Sequence, residues 1–304
     1  MARKDINPNS DKDFIDKIDL ANEHNFPKFL KSIKLSPFRH ITDLSIDFIH
    51  PISVIAGTNR SGKSTILMAL ACSHFDFNKR NIQNGKLERH TWSSIMQFTN
   101  HDKQLIDWTY FVTYKFGKKI ETKRGQRKAS TKKWNGIGKK ESQIKNRQVI
   151  FLDLDRISPA RNFGKAIFKK AQNDTVTNIS ANNIPRIEMY LSYILEETFN
   201  LKKLADHLDK DIFKYSNTNE YSSYNAATGE EVLTKIIIDI IEAPDHSLIL
   251  IDEIEVGLHP KIQRRLIHSL YNIARNDSKQ FILTTHSASI LSSLPDKARI
   301  FRVC

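Results

Sequence analysis

From Ser32 to Asn59 short apolar runs alternate with turn residues, which predicts strands near Ile33–Leu35, Leu44–Phe48 and Ile52–Ala56. A helix is predicted next, from Lys63 to about Ser73. Asp107–Tyr114 and Gln148–Leu152 read as further strands, and the polar, Gly-containing stretch Lys115–Arg147 between them reads as a long hairpin tip or loop inserted into the core. After Pro185, the residues Ile187, Tyr190, Leu191, Ile194 and Leu195 fall on one helical face, and a weaker helical period runs from Leu201 to Phe213. No heptad pattern is sustained, so no long coiled-coil arm is expected. The last third reads most clearly: helix Thr228–Ile241, buried strand Ser247–Asp252, helix Pro260–Arg275, strand Phe281–Thr285 and a final strand Ile300–Val303. Strands alternating with helices predict a mostly parallel sheet covered on both faces.

Length and composition change this picture little. With 304 residues and 39% hydrophobic content the chain can form one large α/β domain or two smaller ones. Apolar runs such as Leu248–Ile251 and Ile236–Ile238 stop far short of the roughly 20 residues that span a bilayer, so no membrane partner is expected. The opening MARKDINPNSDKDF lacks the apolar core of a secretory signal, which predicts an intracellular, cytoplasmic protein. Cys72 and Cys304 form neither a zinc-site spacing nor a disulfide framework, and read as one small core residue and one terminal thiol.

Charge adds more. Lys and Arg number 47 against 34 Asp and Glu, a net charge of +13 that favours polyanionic partners such as nucleic acid. The excess is concentrated in Lys115–Arg147, where Lys118, Lys119, Lys123, Arg124, Arg127, Lys128, Lys132, Lys133, Lys139 and Lys140 face only Glu121 and Glu141. A solvated loop and a DNA contact are both open readings of that run. There is no internal repeat.

Three segments carry chemistry. The run Gly57, Thr58, Asn59, Arg60, Ser61, Gly62, Lys63, Ser64, Thr65 matches a phosphate-binding P-loop and sits between a predicted strand and a predicted helix. Its backbone N–H groups would wrap phosphates at a helix N-terminus, Lys63 would reach the β and γ phosphates, and Ser64 would offer its hydroxyl to Mg²⁺. A chance match in a chain of this size is roughly a one-in-a-hundred event, and the strand-to-helix context strengthens the match further. The second segment, Leu248–Glu253, is an apolar strand ending in two carboxylates. Asp252 would hold the metal through water and Glu253 would activate the attacking water; the plain alternative for Glu253 is a helix-capping acid. The third is Phe281–Ser287, which ends in His286, a side chain placed to meet a γ-phosphate or simply a satisfied surface histidine.

Together these segments, from about Phe29 onward, resemble the soluble RecF-like, SMC-like and OLD-like branch of the ABC ATPases. The resemblance rests on SPFRHITDLSIDF before the P-loop, on the GxNxSGKST pattern, on DEIEVGLHP from Asp252 to Pro260 and on TTHS. It implies an α/β P-loop NTPase of the ABC ATPase (SMC/RecF-head) type with an antiparallel β subdomain and an inserted helical subdomain. The implied domains are an N-terminal extension 1–28, a first core part 29–95, an inserted β/helical subdomain 96–227 with the basic loop 115–147, and a second core part 228–304. Gln97 in WSSIMQF is similar to the Q-loop glutamine that senses Mg²⁺ and γ-phosphate, with Gln104 as competitor. Ala226–Glu230 occupies the place of the signature motif, with Ala227 where the family has serine; Thr228 and Gly229 would bind ATP held by the opposite subunit of a homodimer or higher even oligomer. Thr228 and Glu231 have capping-box spacing. Arg60 stands where the family often has glycine, and Arg39 matches an arginine near nucleotide or is a turn residue. Glu255 and His259 fall in the D-loop and are expected at the dimer interface.

A finer resemblance, carried by GTNRSGKST, WSSIMQF and LDRISPARN (Leu154–Asn162), is to the PtuA-type ATPases of Septu and retron-associated antiphage systems. It implies an ATPase that acts with a separate HNH-type nuclease subunit and is not itself a nuclease. A RecF/SMC-like repair clamp on DNA is the alternative, and a transporter ATPase a third reading that the basic charge and the LHP ending oppose. The resemblance leaves open whether the chain continues past Cys304.

Overall fold

The chain folds around two five-stranded sheets of different kind. The first is antiparallel: β1 (Lys28–Ser36), β2 (Leu44–Asp47), β6 (Trp108–Phe116), β7 (Lys119–Arg127) and β8 (Trp134–Asn135) lie in the order β2-β1-β6-β7-β8. The second is parallel: β3 (Ile52–Gly57), β9 (Val149–Leu152), β13 (Leu248–Ile251), β14 (Gln280–Thr285) and β15 (Arg299–Arg302) lie in the order β15-β3-β14-β13-β9. Every residue of β13 and β14 is buried, and so is β3 up to Ala56, which is why these strands read as unbroken apolar runs. The computed structural model describes residues 5–38, 41–80, 87–92, 107–128, 134–135, 143–172, 179, 182–205 and 211–302.

Helices cover the parallel sheet. α2 (Lys63–Cys72) packs on β3, β9, β13 and β14, α5 (Thr228–Glu242) on β9, and α6 (Pro260–Asp277) on β3 and β14. α1 (Pro8–Asp16) docks on α6, where Asp11, 1% exposed, accepts from Asn272 at 2.8 Å and from Arg275 at 3.0 Å. α4 (Ile184–Leu195) lies against α5 and α6 and buries Ile187, Tyr190, Leu191 and Ile194, the face its periodicity predicts. α3 (Lys165–Ala171) packs on β10 (Asn200–Ala205), which joins β11 (Ile212–Ser216) and β12 (Glu220–Ser222) in a small antiparallel sheet. A hairpin of β4 (Asn78–Arg80) and β5 (Leu87–Arg89) and a short α7 (Ala288–Ser292) complete the described elements.

One side chain joins the two large sheets. The β1–β6 register shifts between Leu30 and Ser32, and the buried Gln280 of β14 takes up the freed backbone groups: its Oε1 accepts from Leu30 N–H at 2.8 Å and its Nε2 donates to Leu30 O at 2.9 Å. A second buried device sits at the end of α6. Asp277 accepts from Arg186 at 2.7 and 2.8 Å and from Lys279 at 3.0 Å, and Lys279, fully buried, also donates to Ile240 O at 2.8 Å. Burial holds the Lys279 ammonium below its ordinary pKa despite Asp277.

Two expectations are corrected and one is narrowed. The described residues of Leu201–Phe213 are strand where a helix is expected: 201–205 lie in β10 and 212–213 in β11, and Leu201, Phe213 and the neighbouring Tyr215 are buried. Of the hairpin and loop readings of the basic segment, its described start takes the hairpin, with far more strand than a tip. β7 leaves β6 through a turn at Gly117, whose φ of 58° suits glycine, and pairs along its whole length from Lys119 to Arg127. Gly125, taken as a loop sign, lies under the Tyr110 ring, where an added Cβ would come within 1.9 Å of Tyr110 Cε1. The capping box at Thr228 and Glu231 does not form, because Ala227 is the N-cap and buried Glu231 instead accepts from Ala160 N–H at 3.0 and 3.1 Å. Cys72 is fully buried, and among the described residues no helix is long and apolar enough to cross a membrane.

Candidate functional site: a phosphate loop facing Glu253 and His286

β3 and α2 create the loop between them. Arg60 has φ 68° and Gly62, the N-cap of α2, has φ 87°, so the chain turns back on itself and points the start of the helix into a cleft. The left-handed Arg60 explains why glycine suits its position. Lys63 is buried, and its ammonium is held over the loop by Gly57 O at 3.0 Å and Thr58 O at 2.9 Å. Residues 59–65, Glu253 and His286 line one cleft of about 390 Å³. A larger groove of about 890 Å³ runs along the open edge of β9, but it has no phosphate loop, so chemistry and not volume marks the nucleotide site.

The acids and the histidine arrive from adjacent parallel strands, β13 and β14, in register Ile251↔Leu283. Thr284 ties them together: its hydroxyl donates to Asp252 Oδ1 at 2.6 Å and accepts from Glu253 N–H at 2.7 Å. Glu253 takes φ 46°, a left-handed conformation costly for a residue with a side chain. Its carbonyl is held from the other side by Arg156, at 2.7 Å. Glu255 grips the end of β14 with both oxygens, accepting from Thr285 Oγ1 and from His286 N–H, each at 2.6 Å. The loop after Glu253 and the loop after β14 are therefore one hydrogen-bonded unit, extended by Ser287 donating to Gln263 Oε1 at 2.5 Å.

Glu255, expected at an interface, thus has a role inside this chain, and His259 caps α6 by accepting from Lys261 N–H at 3.3 Å. Sequence reasoning missed Arg156 and Thr284 altogether. Thr284 stood in the TTHS run beside the histidine that drew the attention, and Arg156 in LDRISPARN, which carried a likeness but no chemistry. Arg39, Gln97, Gln104, Lys132, Lys133, Lys139, Lys140 and Cys304 lie outside the described residues.

The signature-like turn abuts this unit within the chain. Gly229 packs on Gly257, φ 80°, so closely that a Cβ at 229 would lie 2.4 Å from Gly257 O. Thr228 Oγ1 accepts from Arg161 at 2.8 Å. Gly229→Ala should therefore cost about 1–3 kcal/mol from overpacking in the isolated chain. A urea unfolding midpoint equal to the parent's would contradict this close approach.

A family model described as "AAA domain, putative AbiEii toxin, Type IV TA system" matches residues 99–292. The chain belongs to this AAA family. A second model, "AAA domain", matches residues 29–106 and so takes in the phosphate loop. Over 100 residues the chain is 36% identical to a "Retron Vc95 probable ATPase" of Vibrio cholerae serotype O1 biovar El Tor, a stretch covering 29% of this chain and 19% of that protein. Over 71 residues it is 38% identical to "DNA replication and repair protein RecF" of Oenococcus oeni, covering 22% of this chain and 17% of that one. The matched stretch thus spans under a fifth of each of these curated relatives. Among solved structures, an Smc head bound to the C-winged helix domain of ScpA aligns with TM-score 0.55 at 12% identity, over 88% of this chain and 92% of that one. An Smc head with an extended coiled coil, bound to the C-terminal domain of ScpA derived from Pyrococcus furiosus, aligns with TM-score 0.51 at 9% identity, over the same 88% and 92%. At such identities the likeness speaks for the fold: the AAA chain has the architecture of an SMC-type ATPase head, with parallel core and antiparallel flanking sheet.

Proposed function

We propose that two copies of this AAA ATPase sandwich two ATP molecules, each held by Lys63 of one copy and Gly229 of the other, and that the nucleotide state governs a separate HNH-type nuclease on DNA in antiphage defence. The observation that carries the ATPase reading is the convergence of the phosphate loop, Glu253 and His286 on one cleft. Ser64, which lines it, and Asp252 offer the hard oxygen donors that suit Mg²⁺, an ion that binds through one or two such groups together with the nucleotide's phosphates. Bound there, Mg²⁺ would neutralise charge on the β and γ phosphates. Glu253 takes the proton of the attacking water, His286 meets the γ-phosphate, Lys63 holds the β and γ oxygens, and Gln97 is assigned to sensing the metal.

The defence reading is supported by the likeness to the Vibrio cholerae retron ATPase. The match to RecF favours the second reading, a repair clamp that holds DNA without a nuclease. Of the bases expected on DNA, Lys118 pairs with Glu23 at 3.3 Å, and Lys119 and Lys123 pair with Glu121 at 2.6 and 3.2 Å. Lys115 is buried under the carbonyls of Leu20, Asn22 and Asn25. The surface better suited to a phosphate backbone is the outer face of the antiparallel sheet, where exposed Lys34, Phe111 and Arg124 lie in one row across β1, β6 and β7.

The purified chain alone should leave DNA intact, and with a co-purifying nuclease the cutting should change with ATP. Lys63→Ala, which removes the cation facing the β and γ phosphates, should lose ATP affinity and the ATP response together. Robust cutting by the chain alone would overturn the two-component reading, and undiminished ATP affinity in Lys63→Ala would overturn the role of Lys63.

A further inference from the structure

The segment Leu154–Asn162 lines no part of the phosphate-loop cleft, yet it reaches two places that matter for hydrolysis. It forms two short turns, Leu154–Ile157 and Ala160–Asn162, directly after β9. From the first turn Arg156 points inward, 8% exposed. Its guanidinium donates to Glu253 O at 2.7 Å, to Asp153 O at 2.6 Å and to Leu152 O at 3.4 Å, so its terminal nitrogens donate to backbone carbonyls and to no side-chain carboxylate among the described residues. Burial lowers the Arg156 pKa, and the nearby charges of Asp252, Asp153, Glu255 and Glu253 oppose that shift. A cation is thereby kept beneath the acidic loop without neutralising any one acid by contact.

The contact to Glu253 has a specific consequence. Glu253 sits at φ 46°, and such a backbone conformation persists only where neighbouring groups hold it. Two side chains and one backbone group do so: the Thr284 hydroxyl accepts its N–H, and its C=O accepts from Arg156 at 2.7 Å and from Val256 N–H at 3.1 Å. The direction in which the Glu253 carboxylate leaves the backbone is set by that peptide pair.

The second turn anchors the same segment to α5. Ala160 N–H donates to both oxygens of buried Glu231, Lys235 donates to Ser158 O at 3.1 Å, and Arg161 donates to Thr228 Oγ1 at 2.8 Å. The segment is a strap between the N-terminal half of α5 and the acidic loop.

We propose that Arg156 is a positioning residue for ATP hydrolysis: it holds Glu253 in its left-handed conformation, aims the carboxylate at the attacking water, and ties that aim to α5 through the strap. This rests on the reading of Glu253 as the water-activating base. A displaced general base costs rate and leaves ground-state binding intact, and a misplacement of about 1 Å can cost on the order of a hundredfold.

The test measures steady-state hydrolysis and ATP affinity for Arg156→Gln, Arg156→Lys, Glu253→Gln and the double variant Arg156→Gln/Glu253→Gln. Arg156→Gln should lower kcat about tenfold to a hundredfold with ATP affinity unchanged, and Arg156→Lys, which retains one donor, should recover part of it. In the double variant Arg156→Gln should cost nothing further, because the carboxylate it aims is gone. Wild-type kcat in Arg156→Gln, alongside a large loss in Glu253→Gln, would overturn the role of Arg156 and leave the base intact. Fully additive losses, or a loss of ATP affinity equal to the loss of kcat, would also overturn it, since both are what general structural damage gives. If Arg156→Gln does not fold, Arg156→Lys decides: reduced kcat at unchanged affinity supports the assignment and unchanged kcat overturns it. A Glu253→Gln variant that hydrolyses normally would remove the reading on which the inference rests.

Discussion

Glu253→Gln should bind ATP as tightly as the parent chain and hydrolyse it about 10²–10⁴-fold more slowly. The amide keeps the shape of the side chain and its backbone bonds to Thr284 and Arg156, so the loop should stay in place. What is lost is the capacity to take a proton from water. With hydrolysis blocked and both nucleotides retained, the head-to-head assembly should accumulate, since nothing removes the γ-phosphates that hold the two copies together. Rapid-quench hydrolysis measures the first effect and light scattering with ATP the second. Turnover near the parent rate would assign the water to another base. Slow turnover with no ATP-dependent association would separate the catalytic reading from the sandwich.

Asp277→Ala should be the most destabilising single change among the buried polar groups described above. It strips the shared partner from Arg186 and Lys279, the first 8% exposed and the second fully buried, and removing one partner of a buried pair costs about 3–5 kcal/mol. For a chain of this size that is a fall in thermal midpoint on the order of 10 °C. The penalty should shrink as pH rises. Lys279 has a folded-state pKa below its unfolded value of 10.5, so the unfolded chain binds more protons and stability rises with pH through the window up to that value. Removing the carboxylate deepens the shift. Denaturant titrations of parent and variant at neutral and alkaline pH check both statements, and a penalty that does not diminish toward alkaline pH would mean that Lys279 is not the group left unpaired.

The parts of this molecule that were legible in the sequence are those where one physical requirement dominates. β3, β13 and β14 must be apolar because helices cover both faces, and the phosphate loop needs small residues and one lysine at fixed spacing. Leu201–Phe213 was misread because its apolar residues follow both a loose helical period and a strand alternation, and only pairing between β10 and β11 decides between them. Within Lys115–Arg147 the hairpin and loop readings stayed open because composition dominated: a lysine-rich, Gly-containing stretch looks like solvated loop, and the β6 strand that pairs with Lys119–Arg127 and accepts Gly125 precedes it. The parts of the site that stayed hidden are relational. Thr284 and Arg156 matter through the backbone of Glu253, and no spacing rule reports a side chain that holds another residue's peptide group. Glu255 was noticed for its place in the DEIEVGLHP run, but its grip on Thr285 and His286 appears only once β13 and β14 lie side by side.

The neighbours of β3 bear on how the protein is made. β3 ends in the phosphate loop and lies between β14 and β15, strands separated from it by more than two hundred residues of chain. On a ribosome adding about 5–20 residues per second, the segment from β3 to β15 takes roughly 12 to 50 seconds to emerge. During that time the apolar strand Ile52–Gly57 has neither of its lateral partners, and the antiparallel sheet, whose β1, β2 and β6 all precede Gly117, can form without it. Glu253 and His286, which complete the cleft begun by residues 59–65, are made equally late. Newly made protein should depend on chaperones that shelter exposed β3 until the distant strands arrive, and nucleotide should stabilise it fully only after Glu253 and His286 have left the exit tunnel.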